Sequence, residues 1–203
     1  WEVSPTATFA TIAQKGVAIA RPELGHSVHA EVTGLEPNRE YFYRFRAGNE
    51  VTPTARTKTA PAVGQALDRV RFGLCGCNNY EAGFFTAYRG MANENFDFII
   101  HSGDYIYEGE RTKADLEARA FPAEELHELD DYRIRYAIYK HDPALQAAHA
   151  MAPWIVTWDD HEVSNDYAAD HCEHPDKFPP KEFLRRRAAG YQAYFEHLPL
   201  RRA

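Results

Sequence analysis

Short apolar runs at a strand-like period fill the first sixty residues. Val17–Ala20 and Ser27–Val32 are extended runs, with Pro22 and Gly25 as turn formers between them. Tyr41, Tyr43 and Phe45 alternate with Phe42, Arg44 and Arg46, the period-2 pattern of a strand with one buried face. The stretch from Thr59 to Asp68 is small, carries Pro61 and Gly64, and has no period, as a linker would. From Arg69 the pattern changes. Val70–Cys75 reads as a strand, Phe84–Ala92 as a helix, and Phe96–His101 as a second, buried strand. Residues 111–127 are charged and broken by Pro122, as a surface helix and loop would be. Tyr132–Lys140 places Tyr132, Tyr136 and Tyr139 on one helical side, and Pro143 opens a further helix over Ala144–Met151. Trp154–Trp158 is a short apolar run that reads as a buried strand. Lys181–Leu198 is an amphipathic helix, with Leu184, Ala188, Tyr191, Phe195 and Leu198 at spacings of three or four.

This order predicts an α/β chain with a β-rich part ahead of it. Strand, helix and strand over 70–101 form a β-α-β unit, whose parallel connection is right-handed. Leu35, Pro37 and Tyr41 fit the corner ahead of a late strand in fibronectin type III and immunoglobulin-like sandwiches, where a tyrosine hydroxyl ties back to the upstream backbone. Plain core packing is the commoner role of such a tyrosine, and the reading preferred here. The expected organisation is a partial β-sandwich over residues 1–60, a linker over 61–68 and an α/β unit over 69–203.

Composition narrows the function. The 203 residues are 44% hydrophobic and 26% charged, enough for a real core. A net charge of -7 argues against a nucleic-acid partner, which calls for a basic face. The run Arg185–Arg187 and the pair Arg201 and Arg202 read as solvated helix faces. No apolar run reaches the roughly 18 residues of a membrane span. Three cysteines do not make a disulfide framework.

The candidate chemistry sits where strands end. In open α/β sheets, sites form at the carboxyl ends of strands. The first strand closes on Cys77, the second runs into Asp104 and Tyr107, and the third ends in Asp159, Asp160, His161 and Glu162. Such a carboxylate cluster beside a buried strand calls for a cation or ligand, since an unpaired buried charge costs several kcal/mol. Asp104 could bridge two cations through its two oxygens. Tyr107 offers a hard phenolate suited to a trivalent ion such as iron. Cys77 offers a thiolate, although a free cysteine more often packs as a small hydrophobe, the reading composition alone favours for both Cys77 and Cys75. Asp160 could hold a second cation, and the Asn165 carbonyl suits a hard ion such as calcium. His161 could protonate a leaving oxygen or stabilise phosphoryl charge. Asp104 and Tyr107 also fit a loop acid and a packing tyrosine. His171, Cys172 and His174 read as loop residues, because a structural zinc site needs four ligands at defined spacing.

Taken together, GLEPNREYFYRF, CNNYEAGFFTAYR, FDFIIHSGDYIYE, RYAIYKHDPALQAAHAMAPWIVTWDDHEVSND and RRAAGYQAYFEHLPLR resemble the PhoD-like alkaline phosphatases and phosphodiesterases, a branch of the metallophosphatases. The resemblance spans nearly the whole chain. It implies the first half of a metallophosphatase α/β sandwich, preceded by a partial fibronectin/immunoglobulin-like sandwich and truncated at both ends. It also implies a centre of Fe3+ with Ca2+, other divalent metals staying open. Cys77, Asp104, Tyr107, Asp160 and Asn165 are then metal ligands and His161 faces the phosphate. Ser164 and Asp166 depart from the EVDNN expected there. The implied substrate is a phosphate ester, attacked by a hydroxide generated on the metal, and the implied location is secreted or periplasmic. Oligomeric state and the particular ester are left open. A half site predicts weak metal binding, a bare apolar sheet face and little activity for these 203 residues alone; an inert fragment or binding module is the alternative.

Overall fold

The computed structural model describes residues 1–109, 119–120 and 124–201. An antiparallel sheet comes first. Its strands are β1 (Glu2–Ser4), β2 (Gln14–Lys15), β3 (Glu40–Arg44) and, after a small ribbon of β4 (Arg46–Ala47) and β5 (Glu50–Val51), β6 (Ala55–Lys58). The order is β2-β1-β3-β6, with Tyr43 opposite Val3 on one side and Ala55 on the other. Tyr41 is buried, and its hydroxyl accepts a hydrogen bond from the Glu36 backbone N–H at 3.1 Å. It therefore packs and ties back at once.

The two early runs differ from expectation. Val17–Ala20 and Ser27–Val32 are irregular, not strands, and Pro22–Leu24 is a single 3-10 turn. Val17 and Ile19 stand 92% and 71% exposed. A short apolar run becomes a strand only where a neighbour pairs with its backbone and its side chains find a face to cover. Among the described residues neither run has a strand to pair its backbone with, although His29 stacks on Phe195.

The second sheet is parallel: β7 (Phe72–Cys75), β8 (Phe98–His101) and β9 (Trp154–Val156), in the order β7-β8-β9. Its register aligns Leu74, Ile100 and Ile155 across the three strands. Among the described residues four helices follow the predicted order: α1 (Thr86–Met91), α2 (Leu129–Lys140), α3 (Pro143–Met151) and α4 (Pro180–His197). The start of α2 is fixed by a reciprocal capping box between Glu128 and Asp131. Pro143 opens α3 after Asp142, whose carboxylate accepts from the Ala144 and Leu145 N–H groups at 2.8 and 3.0 Å. The tyrosine stripe of α2 is wholly buried and joins Ile99, Tyr105, Leu145 and Trp154 in one core. The two sheets are tied by Arg56, which donates to the carbonyls of Phe96 and Met151, and by the Lys58–Asp97 ion pair at 2.5 Å.

The strands of the parallel sheet are buried on one face only: Phe72, Leu74 and Ile155 are more than half exposed. The side chains of one strand face alternate ways, so an apolar run by itself does not say that both faces are covered. Two readings are corrected. The inward face of α4 is Phe183, Arg186, Gly190, Ala193 and Tyr194, while Leu184 points outward. Gly190 sets that rotation. A Cβ there would lie 2.7 Å from the Glu162 carbonyl oxygen, so only glycine lets the helix approach so closely. Arg186 is accordingly not a solvated charge. It is buried, donates to the Tyr132 hydroxyl at 3.1 Å and pairs with Glu125 at 2.7 Å. The stretch 111–127, read as a surface helix and loop, lies largely outside the described residues, as does Arg202.

Candidate metal centre

The loops leaving β7, β8 and β9 meet at one end of the parallel sheet. The first two are laced together by backbone: Cys77 N–H donates to the Gly103 carbonyl at 3.1 Å and Asn78 N–H to the Asp104 carbonyl at 2.8 Å. Both Cys77 and Asp104 hold φ of 54°, in the left-handed region that L residues avoid. Such strain persists where surrounding contacts over-determine it, and it clusters at functional sites. Here those contacts turn both side chains toward each other. The Cys77 thiol and the Tyr107 hydroxyl each donate to Asp104 Oδ2, at 3.4 and 3.2 Å.

The third loop is latched on by Glu162. Its buried carboxylate accepts from the N–H groups of Asp104 (3.2 Å), Tyr105 (2.6 Å) and Asp159 (2.9 Å). Three charge-assisted bonds thus join the ends of β8 and β9. Burial outweighs them and pushes the Glu162 carboxyl up to about 7. The latch brings ligand atoms of Asp104, Asp160 and His161 within 4.8 Å of one another. His161 is held from behind. Glu108 Oε2 lies 2.7 Å from its Nδ1, and its ring lies tilted against Tyr107 with centroids 4.1 Å apart. Glu108 Oε1 also accepts from the Asn165 N–H at 2.6 Å.

The electrostatics of this cluster are those of a site short of positive charge. Burial raises the Cys77 thiol, and the Asp104 carboxylate beside it raises it further. Tyr107 is raised well above the ordinary phenol range by burial, Asp104 and Cys77. Burial alone would lower His161, but Glu108, Asp104 and Asp160 override it and raise its pKa. Asp104 Oδ1 is buried and has no hydrogen-bond partner among the described residues. An orphaned carboxylate oxygen among a thiol, a phenol, a second carboxylate and an imidazole is a donor set waiting for a cation.

Five of the six residues singled out in the sequence therefore converge: Cys77, Asp104, Tyr107, Asp160 and His161. Asn165 stands to one side, its side-chain amide nitrogen donating to Glu173 at 2.9 Å and to Asp166 at 3.2 Å. Sequence reasoning missed the parts played by Glu108 and Glu162. Glu108 lies four residues beyond Asp104 and Glu162 lies inside the DDHE cluster, so both were visible as acids. Nothing local says that one grips the histidine and the other the backbone. His171 and His174 are exposed loop residues, and neither joins the cluster.

Known proteins resemble this chain in sequence and shape. Residues 72–203 match the family described as PhoD-like phosphatase, and residues 1–61 match its N-terminal domain. The chain is 48% identical over 209 residues to "Alkaline phosphatase D" of Bacillus subtilis (strain 168), across 99% of this chain and 35% of that protein. A solved structure described as "Structure of PhoD" superposes with a TM-score of 0.95 at 46% identity, over 99% of this chain and 39% of the other. The chain thus spans little more than a third of the length of either.

Proposed function

The chain belongs to the PhoD-like phosphatase family, and from that premise we propose that it serves metal-dependent hydrolysis of phosphate esters, monoesters or diesters, at alkaline pH. The observation that carries this reading is the buried Asp104 Oδ1, without a hydrogen-bond partner among the described residues, within the Cys77, Tyr107, Asp160 and His161 cluster. Asp104, with ligand atoms near both Asp160 and His161, would be the carboxylate shared by the ions the site holds. Cys77 and Tyr107 complete the site for Fe3+, as soft thiolate and hard phenolate suit iron better than calcium. Asp160 and the Asn165 oxygen suit Ca2+, the Asn165 amide nitrogen being already taken up by Glu173 and Asp166. When bound, such ions polarise phosphoryl oxygens and lower the pKa of a ligated water.

The remaining steps fall to the chain. Glu108 fixes His161 through Nδ1, which leaves Nε2 to meet the ester. The raised pKa keeps a proton on His161 to a higher pH than in a free imidazole, so it can protonate a departing alkoxide. The Glu162 latch holds Asp104 and Asp160 at a fixed separation, which a reaction driven by positioning requires. We read residues 1–60 as the partial sandwich, 61–68 as the linker and 69–203 as half of the metallophosphatase layer, the bare face of β7-β8-β9 being where a further layer would pack. Export from the cytoplasm belongs to the same reading.

The test is elemental analysis combined with hydrolysis of p-nitrophenyl phosphate and bis-p-nitrophenyl phosphate. Iron and calcium bound to the protein and lost in Asp104→Asn, together with hydrolysis, is the expected result. Metal content unchanged by Asp104→Asn would sink the assignment.

A further inference from the structure

A shallow depression of about 310 Å³ opens beside the metal cluster. It is lined by Trp158, Asp159, Asp160, Tyr167, Ala169 and Tyr191. Asp160 belongs to both, so the depression directly adjoins the cluster. The volume is at the lower end of ligand pockets, about 300 Å³ and upward, and suits one ring-sized group.

The walls are unusual for a loop surface. Trp158 follows β9 and is half exposed, although an indole is costly to leave in water. Its ring is fixed from behind by two residues one turn apart on α4. It tilts over Tyr191 with centroids at 5.4 Å and meets Tyr194 edge-on at 5.9 Å. Tyr191 is braced in turn by a hydroxyl–hydroxyl contact with Tyr167 at 2.7 Å. The aromatic wall is therefore rigid before any ligand arrives, which lowers the cost of binding a flat or apolar group. The Asp159 side chain is exposed on the same rim and disfavours a second anionic group.

We propose that this depression is the subsite for the organic leaving group of the ester, and that it selects esters whose alcohol presents an apolar or flat face over those with small or anionic alcohols. This rests on the phosphatase reading of the adjoining cluster. Trp158 is the specificity-determining residue, and it touches the leaving group without taking part in proton transfer.

The experiment titrates the metal-loaded protein with two non-hydrolysable ligands, 2-phenylethylphosphonate and ethylphosphonate, and assays the corresponding phosphate esters. Trp158→Ala is expected to weaken the phenylethyl ligand roughly tenfold, the scale of one aromatic contact, and to raise KM for its ester alike with kcat held. The ethyl pair should stay within about twofold, and Trp158→Phe should restore most of the loss. Equal changes for both ligands, or none, would overturn the subsite while leaving the phosphatase reading intact. If the unaltered protein neither binds the phosphonates nor hydrolyses either ester, the phosphatase reading fails and the subsite with it.

Discussion

Gly103→Ala tests how the site is built more directly than replacing any ligand. Gly103 follows β8 with φ of 115°, a conformation that L side chains rarely adopt. A Cβ there would lie 2.6 Å from the Asp159 backbone nitrogen and 3.1 Å from its Cα. Those atoms are backbone, and they cannot retreat, because the same Asp159 N–H is held by Glu162 at 2.9 Å. On the other side, the Gly103 carbonyl accepts from Cys77. The strained backbone costs about 1–3 kcal/mol. Overpacking adds about 1–3 kcal/mol more. The sum, about 2–6 kcal/mol, is a large part of the 5–15 kcal/mol that holds a typical domain folded. The relief available is to part the ends of β8 and β9, which separates Asp104 from Asp160. Urea unfolding should show the loss as a lower midpoint at unchanged slope, and bound metal should fall in the folded protein. Gly83→Ala is the control, since a Cβ there meets nothing within 4 Å. A Gly103→Ala protein within about 0.5 kcal/mol of the parent, with full metal content, would refute the close-approach reasoning.

Glu108→Gln should leave the fold intact and cut kcat by about 10–100-fold, the usual cost of removing a partner behind a site residue. Because Glu108 raises the His161 pKa, the alkaline limb of the rate profile should also move to lower pH; an unmoved limb would show that His161 is not the acid. Lys140 is pulled down to about 8 by burial alone. A lysine with a depressed folded pKa penalises the fold while protonated, and the penalty fades as pH rises from about 8 to the unfolded value near 10.5. Lys140→Met should therefore stabilise the protein at pH 7, by at most about 3 kcal/mol, with the gain vanishing near pH 10.5; a gain independent of pH would contradict this. Ile99→Ala, in the covered face of the parallel sheet, should cost about 2–5 kcal/mol. Leu74→Lys, on the bare face, should cost under about 0.5 kcal/mol in the same unfolding assay, and equal costs would mean that the faces are misassigned.

Local pattern carried far in this chain. The three strands of the parallel sheet, the four helices and their order were legible because each repeats a period within its own span and is punctuated by Pro143, Pro153 and the glycines. The strand-end placement of Cys77, Asp104, Tyr107, Asp160 and His161 followed from the same pattern and a rule of α/β topology, and the structure brings these five together. Where the sequence misled, the deciding contact came from far along the chain. Val17–Ala20 has the composition of a strand and, among the described residues, no neighbour to pair with. Arg186 sits in a basic run, yet Tyr132, 54 residues away, gives it a buried partner. The face of α4 was set by a glycine meeting the Glu162 backbone, and no periodicity within the helix encodes that meeting. Glu108 and Glu162 are further cases: their types were evident, but gripping His161 across 53 residues and the Tyr105 N–H across 57 depends on how three loops dock. Local sequence was enough for the helices and parallel strands of the α/β part and for the chemistry at their ends, because these are set within a few residues. The tertiary structure decided which faces are covered, which charges are buried and which carboxylate oxygen is left without a partner. Those properties belong to pairs of segments, and they exist only once the chain has brought them together.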